Sequence, residues 1–166
     1  MAYLAQFIQV TGSELSDIAC RDFFIENNID YQKHKVACFQ QYHGSHLSLF
    51  QGDFFQLNKE IINNPDWIYD RAALIALPES MQKQYVEHLK HFFSSHTRLF
   101  LVTLEFPEEQ LIGPPFPITA SRVETLFTGF DIRSVATNEL EDKQFAQRQF
   151  DVDYLREKLY IITLLQ

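Results

Sequence analysis

Trp67-Ile68-Tyr69-Asp70-Arg71-Ala72-Ala73-Leu74-Ile75-Ala76-Leu77-Pro78 is the stretch that decides the fold. An apolar run breaks off in Asp70-Arg71, continues through small and branched residues, and stops at a proline. A buried parallel strand that delivers a carboxylate and a guanidinium at its C-terminal edge has this pattern. In open α/β sheets that edge is where ligands bind. Both side chains are costly to bury unless paired or bonded. The residues therefore allow two meanings, a structural ion pair capping the strand or a ligand site.

Outward from this stretch, strands and helices alternate. Gln9 to Glu14 reads as a short strand ending in an acid, and Ser16 with Asp17 caps a helix over 17–27 with Ile18, Ala19, Phe23 and Phe24 on its inner side. Residues 1–7 read as the tail of a helix. Val36–Gln41 and Leu47–Phe50 read as two strands around a turn at His43-Gly44-Ser45, the second leading into Gly52-Asp53-Phe54-Phe55. The 66–77 segment reads as the next strand and its continuation. Pro78 opens a helix in which Met81, Tyr85, Leu89 and Phe93 recur at four-residue spacing. Arg98–Phe106 is the clearest buried strand, and Gly113-Pro114-Pro115-Phe116-Pro117 is a stiff loop. Thr119 caps a helix over 120–127, Asp131–Thr137 and Glu157–Leu165 are strands, and the polar 138–148 is loop or helix. The alternation predicts one α/β domain.

Composition narrows the function. The 166 residues carry 22 acidic and 14 basic side chains, a net charge of −8, with no basic run. That argues against nucleic acid as a partner, because phosphate contacts need a basic surface. It leaves room for a small molecule. No apolar stretch has the length of a membrane span and no secretory signal is readable, so a cytoplasmic setting is expected. Cys20 and Cys38 make no disulfide framework and are expected to be packed thiols. His43 with His46, and His88 with His91, lack a third ligand, so no metal site is expected.

Three successive strands end in an acid: Glu14, Asp53 and Asp70. A carboxylate after such a strand suits ribose hydroxyls, and three of them are expected to line one crevice at one rim of the sheet. Gly12-Ser13-Glu14-Leu15-Ser16, Gly52-Asp53-Phe54-Phe55, Tyr69 to Pro78, Gly113-Pro114-Pro115-Phe116 and Glu157-Lys158-Leu159-Tyr160 follow one another in a pattern that resembles the thiopurine S-methyltransferase family of class I S-adenosylmethionine-dependent methyltransferases. The resemblance covers nearly the whole chain. It implies a Rossmann-like sheet with helices on both faces. It also implies transfer of a methyl group from S-adenosylmethionine to an aromatic or heterocyclic thiol, or to selenium or tellurium species.

Residue by residue, the resemblance implies that Glu14 holds the cofactor ribose and that Asp53 and Phe54 border the adenine. Tyr69 and Asp70 fall near the methionine part. Arg71 lies beside the acceptor as the catalytic residue, Pro114, Pro115 and Phe116 form a substrate wall, and Arg148 matches a second substrate arginine. The family's first strand and its glycine-containing turn have no counterpart among the five glycines Gly12, Gly44, Gly52, Gly113 and Gly129. The expectation is an N-terminally truncated sheet whose first, central strand is absent and which binds cofactor poorly. The alternative to an enzyme is then a non-catalytic remnant that associates with proteins through unpaired strand edges.

Overall fold

Glu14 ends one element and Ser16 starts the next, and this short switch sets the layout of the first part of the chain. In the computed structural model, which describes residues 1–165, the chain forms two compact units, Met1–Ile62 and Asn63–Gln166. A 3-10 turn at Leu4–Gln6 stands where the sequence suggests the end of a helix. Strand β1 (Val10–Glu14) follows. Helix α1 (Asp17–Glu26) starts at Ser16, whose Oγ accepts the Ala19 amide at 3.2 Å. Cys20 and Phe24 form its buried face, whereas Ile18 and Ala19 are exposed. At roughly 100° per residue, Ile18 lies on the far side of the helix from Cys20.

Strands β2 (Gln32–Val36), β3 (Phe39–His43) and β4 (Leu47–Gln51) form an antiparallel meander. β4 also pairs in parallel with β1, giving the order β1-β4-β3-β2. The expected strand over 36–41 is thus broken by a turn at Ala37-Cys38, with Ala37 left-handed at φ 51° and Val36 opposite Phe39. β2 carries no apolar alternation because it is exposed along nearly its whole length. The core of this unit joins Cys20, Phe24, Tyr42, Leu47 and Leu49. Phe24, Tyr31 and Tyr42 pack with ring centroids 4.9–6.0 Å apart, and the Tyr42 hydroxyl donates to Asp17.

The second unit begins with β5 (Trp67–Arg71) and the short helix α2 (Ala73–Ala76), so the expected continuation of the strand is helical. Helix α3 (Glu79–Lys90) follows Pro78 and buries Gln82, Tyr85, Val86 and Leu89, leaving Met81 at the surface. Strand β6 (Arg98–Glu105), helix α4 (Ala120–Leu126, capped by Thr119) and β7 (Phe130–Glu139) come next. The polar segment then forms a small hairpin, β8 (Gln144–Phe145) and β9 (Arg148–Gln149), and β10 (Arg156–Leu164) closes the unit. The sheet order is β5-β6-β10-β7. β5 and β6 are parallel, and β10 runs antiparallel to both its neighbours, its pairing with β7 shifting register at Leu159/Tyr160. Leu101 to Leu104 are buried in succession, as expected of a strand covered on both faces. No helix among the described residues is long and apolar enough to cross a membrane.

The two cysteines part company: Cys20 is buried and Cys38 lies exposed in the β2–β3 turn. Burial pushes the Cys20 thiol up to about 11. Near pH 7.5 a thiol-specific chromogenic reagent is therefore expected to modify Cys38 at once and Cys20 only after denaturation. Cys38→Ser removes the fast phase.

Candidate functional site

Adjacent residues of a strand face opposite sides of the sheet, so β5 sends Asp70 one way and Tyr69 and Arg71 the other. Asp70 is turned inward and is 3% exposed. Its Oδ2 accepts the Tyr85 hydroxyl of α3 at 2.9 Å, and its Oδ1 accepts the amides of Ala73 and Leu74 at 3.2 and 3.3 Å. Those amides open α2, and the residue between strand and helix, Ala72, is left-handed at φ 84°. A residue with a Cβ pays a conformational cost in that region. The carboxylate offsets it by tying the turn at both ends. Burial drives the Asp70 pKa upward against the opposing pull of these hydrogen bonds, and burial together with the Asp70 charge drives the Tyr85 phenol far up.

On the opposite face, Tyr69, Arg71, Val102, Ala136, Asn138, Glu157 and Leu159 line an open cleft of about 310 Å³. Its floor follows the register: Arg71 stands beside Val102, Val102 beside Leu159, and Leu159 beside Ala136. Arg71 Nε donates to Glu157 Oε1 at 3.3 Å, and its guanidinium carbon lies 4.8 Å from the Phe145 ring centroid. So the ion pair allowed by the sequence exists, but it joins Arg71 to Glu157 and leaves Asp70 to Tyr85. Tyr69 is 63% exposed at the mouth of the cleft.

The proline loop and Arg148 also meet. Arg148 Nη1 donates to the Pro114 carbonyl at 2.8 Å while its guanidinium lies over Phe150. Phe116 anchors the loop through its amide to the Ile75 carbonyl at 2.6 Å, and Pro115 is partly exposed. Phe145 and Arg148 face each other across β8 and β9. The hairpin therefore links Arg71 to the proline loop. The sequence does not single out the two residues that touch the Arg71 guanidinium, Phe145 and Glu157, nor Val102, Ala136, Asn138 and Leu159 of the cleft. Phe145 is the sole aromatic in the polar segment 138–148, a signal that was there to find. Glu157 is 86 positions from Arg71, a separation over which sequence carries no pairing information.

In the first unit, β1 and β4 end at a common rim, where the Gly52 amide donates to the Glu14 carbonyl at 2.9 Å. Glu14 Oε1 accepts the Ser16 amide at 2.8 Å, and Asp53 Oδ1 accepts the Phe55 amide at 3.0 Å, starting a 3-10 turn at Phe54–Gln56. Among the described residues, each carboxylate keeps its second oxygen without a hydrogen bond. That donor-free pair of oxygens at one rim of parallel strands fits a ribose or an adenine edge. His43 is bonded to Ser48 Oγ at 2.9 Å, and the His88 ring packs against His91 and Phe92.

Comparison with known proteins defines the class. A solved S-adenosylmethionine-dependent methyltransferase from Anabaena variabilis superimposes with a TM-score of 0.68 at 18% identity, over 99% of this chain and 72% of its own. The fold is that of the class I S-adenosylmethionine-dependent methyltransferases. The thiopurine S-methyltransferase family profile matches residues 1–164. Thiopurine S-methyltransferases of Shewanella baltica (strain OS223) and Shewanella sp. (strain MR-7) are 40% and 39% identical over 98% of this chain and 75% of their own length. The chain belongs to the thiopurine S-methyltransferase family and is an S-adenosylmethionine-dependent methyltransferase.

The Asp70 turn makes a stability prediction. Asp70→Ala removes the hydrogen bond of a buried hydroxyl and those of two amides and is expected to cost about 2–4 kcal/mol in urea unfolding; Asp70→Asn, which keeps Oδ1, costs about 1 kcal/mol. An unfolded aspartate titrates near 3.9. With the folded value raised, folding takes up a proton between the two values. Wild-type stability relative to Asp70→Asn therefore falls as pH rises through that window, then levels off above it.

Proposed function

We propose that this methyltransferase acts on the sulfur of an aromatic or heterocyclic thiol, or on a comparable selenium or tellurium species, within a single methyltransferase-like domain. The observation that carries the reading is Arg71, a guanidinium fixed at the C-terminal rim of a parallel strand and opening into a cleft. Such a group favours the thiolate over the thiol and orients it. In the first unit, Glu14 would take the ribose hydroxyls of S-adenosylmethionine, and Asp53 and Phe54 would border the adenine. In the second, Tyr69 would contact the methionine part, and Asp70 would serve it by fixing the turn behind Tyr69 and Arg71. Pro114, Pro115, Phe116 and Arg148 would form the acceptor wall.

S-adenosylmethionine supplies an already activated sulfonium methyl. The chain's own part is then to bind, align and exclude water, and alignment accounts for most of the acceleration. A thiol already ionised needs no general base, and none is nominated. The test is a methyl-transfer assay over a panel of aryl thiols, selenite and tellurite. Arg71→Ala is expected to lower kcat/KM for the acceptor about 10- to 100-fold with cofactor affinity unchanged. Arg71→Lys, which keeps charge but loses the planar fork, falls in between. An unchanged rate in Arg71→Ala sinks the role given to Arg71. Absence of transfer to every acceptor favours the association-module alternative.

A further inference from the structure

We infer that Glu157 and Phe145 are positioning residues that hold the Arg71 guanidinium in the orientation an acceptor needs; the inference rests on the acceptor-side reading of Arg71. Arginine is long and rich in rotamers, and the Arg71 side chain is 43% exposed, so nothing in its own strand fixes its head group. Two contacts from elsewhere do. Glu157 Oε1 takes the Nε–H edge at 3.3 Å, and the Phe145 ring covers one face at 4.8 Å. Among the described residues neither Nη makes a hydrogen bond, and Arg71 lines the cleft.

The two holders are themselves fixed. Glu157 sits in β10, opposite Leu104 on one side and Asn138 on the other. Phe145 sits in a hairpin tied by Gln149 Nε2 to the Asp142 carbonyl at 2.6 Å, by the Phe150 amide to the Lys143 carbonyl at 2.9 Å, and by Arg148 to Pro114. The carboxylate lowers the net charge that Arg71 offers, so its contribution is geometry rather than field strength. Pre-set orientation is what a reaction governed by alignment rewards.

The test is a double-mutant cycle read with thiophenol as acceptor. Glu157→Ala and Phe145→Ala are each expected to lower kcat/KM for the thiol about tenfold while leaving KM for S-adenosylmethionine in place. Glu157→Gln, which keeps an oxygen for Nε–H, and Phe145→Tyr, which keeps a ring face, recover most of the loss. In an Arg71→Ala background neither alanine change lowers activity further. Independently of turnover, arginine labelled with nitrogen-15 reports the hold directly: the Nε–H signal absent from Arg71→Ala exchanges with water faster in Glu157→Ala than in wild type. Additive losses in the Arg71→Ala background overturn the inference, as does Glu157→Gln falling as far as Glu157→Ala. An unchanged Nε–H exchange rate overturns the Glu157 hold even where activity falls. Arg71→Ala with full activity overturns the acceptor-side reading instead, whatever the exchange rate shows.

Discussion

A single buried carboxylate holds the turn between β5 and α2 in shape. Asp70 lies between a strand and the helix after it, and the chain between them passes through a left-handed alanine. Without the two amide bonds to Oδ1 the turn has only the unfavourable backbone of Ala72 to define it. Without Oδ2 the Tyr85 hydroxyl loses the hydrogen bond that joins α3 to β5. What β5 presents on its other face is placed by this tie together with the pairing of β5 to β6.

What is presented there is the Arg71 guanidinium, paired with Glu157 at the edge of a cleft. The reaction class brings its own electrophile, so the protein has little bond-making chemistry to perform and much placing to do. The cleft over β5, β6, β10 and β7 has a floor of small and branched side chains and is lined by one guanidinium, one carboxylate, one amide and the Tyr69 phenol. Its polar groups enter from three separate strands. The hairpin β8–β9 brings an aromatic face from a segment with almost no core of its own.

How much of this the sequence discloses depends on how local the cause is. β1, β6, β10 and α3 are legible because a period or a buried run marks each, and the α1 cap is legible because Ser16 and Asp17 are adjacent. β2 is not, since an exposed edge strand such as Gln32–Val36 needs no apolar side chain. The strand-to-helix break after Arg71 is hidden because an alanine stands where a glycine would announce a left-handed turn. The three acids are found at strand ends, yet alternation alone directs Asp70 away from the face that Arg71 occupies. Glu157 and Phe145 escape because their partner is distant in sequence, and only folding brings it near. The family, by contrast, is legible from short pieces in order, since those pieces keep their identity whichever way each side chain turns.

The chain also carries a pair of natural optical reporters. Its one tryptophan, Trp67, starts β5, stacked on Phe100 at 5.0 Å and with the Arg98 guanidinium 5.0 Å from its ring centroid. Its exposed thiol, Cys38, belongs to the other unit. Intrinsic fluorescence and a dye on that sulfur thus report on the two units separately in one sample. Whether the two units melt in concert or in sequence becomes a question two colours of light can answer.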